Sequence, residues 1–290
     1  MWSLRQNFKQ SKVIQGNMKE HPDSPIYRKG NSLIVAYDHG TEHGPVDFEP
    51  MPKSAEPKHV FEVAQHSAVT AIALQKGNAE YYRKWEQEED VSNSTPLLVK
   101  LNGNSNLAKR DDYYSPKQCS VKYAVEELDA DAVGYTMYAG SLHEDEMWKE
   151  FREVQEAARK YDLPVIMWSY PRGKGIEENP DYSGQKDPDV VAYGARLGLE
   201  LGADMVKCKY PGSKEDWEQV EEVVGDMKTV MSGGSKRSDE AFLKDVSDTI
   251  SVGGNGLAVG RNIFQREEPE EILDKLEKVI FENKDWDEFR

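Results

Sequence analysis

Lys207 stands inside an apolar run, Ala203-Asp-Met-Val-Lys-Cys-Lys-Tyr210, that ends in the turn Pro211-Gly212. A short run of this kind reads as a buried strand. Burial disfavours the ammonium form of a lysine, so its pKa falls and a free amine becomes available. A free amine attacks ketones and aldehydes to form a Schiff base. Lys209 lies two residues on, so both side chains share one face of the strand. Lys207 is the deeper of the two, and a second cation nearby favours its neutral form. Lys207 is therefore read as the nucleophile and Lys209 as an electrostatic helper.

Schiff-base chemistry also needs groups that move protons. Trp168, Tyr170 and Arg172 alternate along another strand-like run. Tyr170 is placed as a proton carrier, with a cationic neighbour expected to ease its ionisation. Asp38 ends a further run and could handle a substrate hydroxyl. The plainer readings are a core tyrosine for Tyr170, a turn or helix cap for Asp38 and barrel filler for Trp168. His39 and His43 flank Glu42 with metal-like spacing. They follow a strand rather than lie on a helix, and no third ligand stands out, so no metal and no cofactor is assigned. Ser232-Gly233-Gly234 and Gly260-Arg261 expose backbone N–H groups beside a cation, the makings of a phosphate cradle.

The elements that must position these residues repeat regularly. Strand-like runs occupy 32–38, 68–75, 96–102, 131–138, 164–170, 203–210, 229–234 and 256–260. They are short, nearly continuous in apolar residues and bounded by Gly, Pro and Asn, as strands covered on both faces are. Helical stretches are assigned at 58–67, 121–128, 144–161, 188–201 and 269–283. The alternation predicts a single-domain α/β fold, a (β/α)8 TIM barrel over 31–290. A doubly wound sheet would need a Gly-rich dinucleotide turn after its first strand, and Asp38-His-Gly-Thr-Glu-His43 is not one. In a barrel the reacting groups gather at the C-terminal strand ends, and phosphates often bind after strands seven and eight. Every residue singled out above falls at such an end, as does Lys100 in the third run. Residues 1–30 are polar and poorly periodic, and read as an arm that docks on the barrel or mediates assembly.

Composition narrows the function. The net charge of −16 argues against a nucleic-acid surface. An anionic small molecule would need a local cluster of positive groups. The two cysteines, Cys119 and Cys208, lack metal-type spacing and read as reduced core thiols. No apolar run reaches membrane-spanning length and no signal-peptide core opens the chain, so a cytoplasmic protein is expected.

Seven segments in chain order resemble the archaeal-type class I fructose-bisphosphate aldolases. They are Leu33 to Pro45, Leu98-Val-Lys-Leu-Asn-Gly103, Val133-Gly-Tyr-Thr-Met-Tyr138, Trp168-Ser-Tyr-Pro-Arg-Gly173, Asp204 to Tyr210, Met231-Ser-Gly-Gly234 and Ala258-Val-Gly-Arg-Asn262. The resemblance implies a TIM barrel that cleaves fructose 1,6-bisphosphate to dihydroxyacetone phosphate and glyceraldehyde 3-phosphate without a metal. It implies the Schiff base at Lys207, proton transfer by Tyr170, assistance from Asp38 at the hydroxyl next to the breaking bond and a pocket shaped by Trp168. Ser232, Gly233, Gly234, Gly260 and Arg261 would hold the ketose phosphate. His39, Lys100 and Arg172 are candidates for the distal phosphate. It also implies a homo-oligomer, in the family a decameric ring. Residues 1–30, the acidic stretch Glu86 to Ser94 and Tyr182 to Asp187 look longer than the family pattern. A synthase of 2-amino-3,7-dideoxy-D-threo-hept-6-ulosonate shares the lysine and the tyrosine, but Trp168 favours the aldolase. A barrel that only binds sugar phosphate would have no use for the buried amine.

Overall fold

The computed structural model describes residues 21 and 24–289. Eight parallel strands close into a barrel in sequential order, β1 (Ser32–Tyr37), β2 (Ala71–Gln75), β3 (Leu97–Lys100), β4 (Ala132–Met137), β5 (Val165–Ser169), β6 (Met205–Lys209), β7 (Lys228–Ser232) and β8 (Gly256–Val259). The strands are shorter than the apolar runs by one to three residues at their ends. Around the ring lie α1 (His39–Glu42), α2 (Pro57–Ala64), α3 (Lys76–Glu88), α4 (Val121–Glu126), α5 (Glu144–Ala158), α6 (Lys174–Glu177), α7 (Pro188–Glu200), α8 (Lys214–Val224), α9 (Asp239–Ser251), α10 (Arg261–Phe264) and α11 (Pro269–Glu282). The expected barrel is the observed one.

Three long helices, α3, α8 and α9, fall in stretches given no helix from the sequence. Their exposed faces are rich in charge, which dilutes the apolar periodicity. Two nevertheless carry start signals. Ser213 accepts from the Asp216 amide and Ser238 from the Ala241 amide, each a side-chain N-cap. Helix α3 also absorbs Glu86–Glu88, the front of the acidic stretch.

Strand alternation divides the core in two. Val206, Cys208, Val35 and Tyr37 pack outward against the helices. Ile34, Ala36, Ala73, Leu98, Ile166, Trp168, Met205, Val230 and Ala258 fill the barrel. Lys207 and Lys209 are in phase with Met205, so they belong to the inner face, as do Trp168 and Tyr170. The arm enters here too. Ile26 is fully buried in the inner cluster and its carbonyl accepts from Ser32 Oγ at 2.8 Å. Residues 1–20, 22 and 23 of the arm lie outside the described residues.

One glycine makes room for the largest inner side chain. A Cβ on Gly134 of β4 would stand 2.4 Å from the Trp168 ring, closer than packing allows. Gly134→Ala is expected to cost about 1–3 kcal/mol of stability by overpacking. Thermal unfolding measures it, and an unchanged Tm would show that the ring can shift freely.

Candidate active site

A cavity of about 460 Å³ opens at the C-terminal mouth of the barrel. Lys207 lines it from β6, where it pairs in register with Trp168 of β5. Its side chain is almost wholly covered, 5% exposed. The Lys207 Nζ lies 4.9 Å from the Trp168 ring centroid and 6.0 Å from that of Tyr170. Desolvation pushes its pKa down to about 8; Asp38 and Glu42 pull it up, while Lys100 and Arg261 push it further down. Lys209 is also pushed down to about 8, by desolvation and then by Arg172 and Lys186. Acidity therefore does not separate the two lysines. Position does, because the Lys209 amine turns to the Gln185 side chain, away from Asp38 and Trp168.

Asp38 occupies the N-cap position of α1, yet its carboxylate makes no capping bond. It accepts instead from Lys100 Nζ at 3.0 Å. Burial alone would raise its pKa, but Lys100, Lys207 and His39 together hold it well below the usual carboxylate range. The cap reading thus gives way to an ionised carboxylate facing the amine.

Lys100 does not fit the role of phosphate ligand. Its side chain is 1% exposed, and its ammonium is shared between Asp38 and Glu42, the latter at 3.2 Å. No free charge is left for an anion. His39 is also poorly suited as a cation. Burial pushes its pKa down to about 4, although Asp38 pulls the other way. It packs edge-on against Phe264, with ring centroids 5.3 Å apart. Gly260 is what admits it, since a Cβ there would come within 2.3 Å of His39 and of the Ala36 carbonyl. His43 pairs weakly with Asp47 at 4.0 Å. Among the described residues no group of three or more His, Cys, Asp or Glu side chains could hold a metal ion.

Tyr170 shows the opposite of the expected acidity. Arg172 does stand 5.3 Å from its ring and favours ionisation. Desolvation and Asp38 outweigh it, so the phenol is held well above its ordinary range. The hydroxyl stays protonated and can only donate before it accepts. Burial raises Tyr37 and Tyr82 as well, but their hydroxyls serve the core, donating to backbone carbonyls at 2.8 and 2.9 Å. Arg172 is boxed by Tyr113, Tyr138 and Tyr170, with centroids 5.1–5.3 Å away.

Ser232, Gly233 and Gly234 line the opposite wall with Gly260 and Arg261. Asn262 ties the two loops together, donating from Nδ2 to the carbonyls of Gly233 (2.9 Å) and Ser235 (3.0 Å). Arg261 donates to Asp47 at 3.2 Å and is thereby held at the rim.

Glu42, Tyr138, Asn104, Lys186 and Asn262 went unassigned in the sequence. Glu42 had a signal, standing one helical turn after Asp38, where the Glu42 amide donates to the Asp38 carbonyl. Tyr138 ends the fourth strand-like run and Asn262 lies on α10, while Asn104 and Lys186 lie in loops whose paths no periodicity predicts.

The chain is similar to known proteins over most of its length. Residues 32–266 match the DeoC/LacD family aldolase model. A class 1 fructose-bisphosphate aldolase of Halobacterium salinarum is 51% identical over 272 residues, spanning 93% of this chain and 98% of that protein. Its counterpart in Thermoproteus tenax is 40% identical over 259 residues, 89% of this chain and 92% of its own. A solved structure of a Schiff-base-forming fructose-1,6-bisphosphate aldolase superposes with a TM-score of 0.80 at 39% identity, covering 89% and 97% of the two chains.

Proposed function

The chain belongs to the DeoC/LacD aldolase family, and from this premise we infer that it is a class I fructose-1,6-bisphosphate aldolase working through a Schiff base at Lys207. The reaction is the reversible cleavage of fructose 1,6-bisphosphate to dihydroxyacetone phosphate and glyceraldehyde 3-phosphate. The observation that carries the assignment to Lys207 is its placement. A largely desolvated amine lies against the Trp168 ring, facing an ionised Asp38, in the mouth of a closed barrel.

The chemistry follows from these groups. The Lys207 amine attacks the C2 carbonyl of the open-chain ketose, and the carbinolamine loses water to become an iminium. Tyr170, held protonated, supplies the proton that the departing hydroxide needs. Asp38, held ionised, takes the proton of the C4 hydroxyl. The C3–C4 bond then breaks, its electron pair flows into the iminium as an enamine, and the aldehyde leaves. The proton taken up by Asp38 returns through water to the Tyr170 phenolate, Tyr170 protonates the enamine at C3, and water adds to the resulting iminium, giving its proton back to Tyr170 as dihydroxyacetone phosphate and the free amine are released. Ser232, Gly233, Gly234, Gly260 and Arg261 hold the ketose phosphate by backbone N–H groups and one cation. Arg172 and Lys209, with Lys186 beside them, offer positive charge to the distal phosphate across the cavity. Among the described residues, neither Arg172 nor Lys209 is drawn into an ion pair.

We place the enzyme in glycolysis and gluconeogenesis, in the cytoplasm and as a homo-oligomer. The free, buried Cys119 and Cys208 support a reducing compartment. No helix among the described residues is long and apolar enough to cross a membrane.

Two measurements test the function. Cleavage of fructose 1,6-bisphosphate should keep its full rate in excess of a strong chelator; loss restored by added divalent metal would show a metal-dependent reaction instead. Borohydride reduction with dihydroxyacetone phosphate should add one reduced substrate to the peptide carrying Lys207, as read by mass spectrometry. Binding without an adduct would leave a sugar-phosphate-binding barrel.

A further inference from the structure

Cleavage through Asp38 needs one carboxylate beside the Schiff-base amine, yet Glu42 also acts on that amine. Glu42 accepts from Lys100 Nζ at 3.2 Å, and its second oxygen accepts from the Tyr138 hydroxyl at 3.1 Å. That hydroxyl also stands 3.1 Å from Asn104 Oδ1. Lys100 and Tyr138 are 1% and 2% exposed, while Glu42 keeps 16% of its side chain open to the cavity. Strand β3, the residue that follows β4, helix α1 and the loop after β3 each contribute one member. Lys100 is thereby fixed with Asp38 Oδ2 at 3.0 Å on one side and the Trp168 ring centroid at 5.6 Å on the other. The same ring lies 4.9 Å from Lys207.

We propose that Lys100, clamped by Glu42 and Tyr138, is a positioning residue that aims Asp38 at the Schiff-base centre and opposes protonation of the Lys207 amine. The inference rests on the Schiff-base reading and adds to it a control on the nucleophile. Its physical content is a charge count. With Lys207 neutral, Asp38 and Glu42 carry two negative charges and Lys100 one positive. Without Lys100, two uncompensated carboxylates would draw a proton onto the adjacent amine. Without the Glu42 charge, Asp38 and Lys100 would form a neutral pair and the amine would lose its proton more readily. The acidity of Lys207 follows this pattern, raised by Asp38 and Glu42 and lowered by Lys100 and Arg261. His39 and His43 beside Glu42, Tyr170 and Arg172 from the end of β5, Lys209 on β6 and Arg261 on α10 also face the cavity, and neither substitution below replaces them.

The test is the pH midpoint of borohydride-trapped adduct formation with dihydroxyacetone phosphate. In the natural protein the yield should rise with pH through about 8. Lys100→Met should move the midpoint up, and Glu42→Gln should move it down, each by about one pH unit. Opposite shifts are the signature, since a merely structural role would lower the yield at every pH without moving the midpoint. Should Lys100→Met fail to fold, the downward shift of Glu42→Gln decides alone. Midpoints that stay fixed or move together overturn the inference while an adduct still forms. No adduct at any pH in the natural protein overturns the Schiff-base reading, and this inference with it.

Discussion

Lys207→Met should abolish cleavage, by roughly 10⁴-fold or more, the scale seen when a covalent nucleophile is removed, while leaving the protein at least as stable as before. The two halves of this expectation have one cause. The Lys207 amine is buried, its pKa is pushed down to about 8 by desolvation, and it lies against the Trp168 ring. Sheltering an amine there works against folding, and Met fills similar volume without that cost. Loss of rate with an equal or higher Tm identifies a residue kept for chemistry. Loss of both would point to a structural role for the ammonium, and near-normal turnover would remove Lys207 from the mechanism. The sign of the pH dependence follows from the same shift. Only the free amine attacks the ketone, so Schiff-base formation is lost as pH falls through about 8 and gained above it. Lys209 has a similarly lowered pKa, so pH dependence alone cannot assign the nucleophile. Lys209→Met should retain the trapped adduct.

Tyr170→Phe should cost about 10²- to 10⁴-fold in turnover, the range for a lost general acid–base group. Desolvation and Asp38 hold the phenol well above its ordinary range, against Arg172. Tyr170 thus stays a donor throughout the working pH range, and no alkaline loss of activity should be traceable to its ionisation. Phe keeps the ring beside Lys207 and Arg172, so the pocket should keep its shape and the trapped adduct should still accumulate, more slowly. A loss below tenfold would mean that another group moves the proton.

The barrel was legible because its strands are buried on both faces. The runs 32–38, 96–102, 164–170, 203–210 and 229–234 are apolar until chemically active residues appear near their C-terminal ends, and that edge marks the mouth. Alternation then set the parity. Once Lys207 was taken as inward, Lys209 followed, and Trp168 and Tyr170 paired on the adjacent strand. The helices were less legible. The sequence of α8 and α9 is dominated by solvated charge, and their caps, Ser213 and Ser238, are single residues. The N-terminal arm could be named as an arm, but not as the segment that places Ile26 inside the barrel.

Taken alone, the order of residues determined the strand count, the shared faces of Trp168 with Tyr170 and of Lys207 with Lys209, the lysine inside an apolar run and the glycine turns after the seventh and eighth strands. These are local properties, set by a period of two and by side-chain type. Which charges meet was decided only when the ring closed. Lys100 and Glu42 are 58 residues apart, and Tyr138 and Glu42 are 96 apart. No local pattern records such a meeting, because it depends on the radius of the barrel and the path of its loops. The reading of Lys100 as a phosphate ligand failed for that reason. Its charge was visible from the start, but the two carboxylates that occupy it come from the end of β1 and from α1, two strands round the ring.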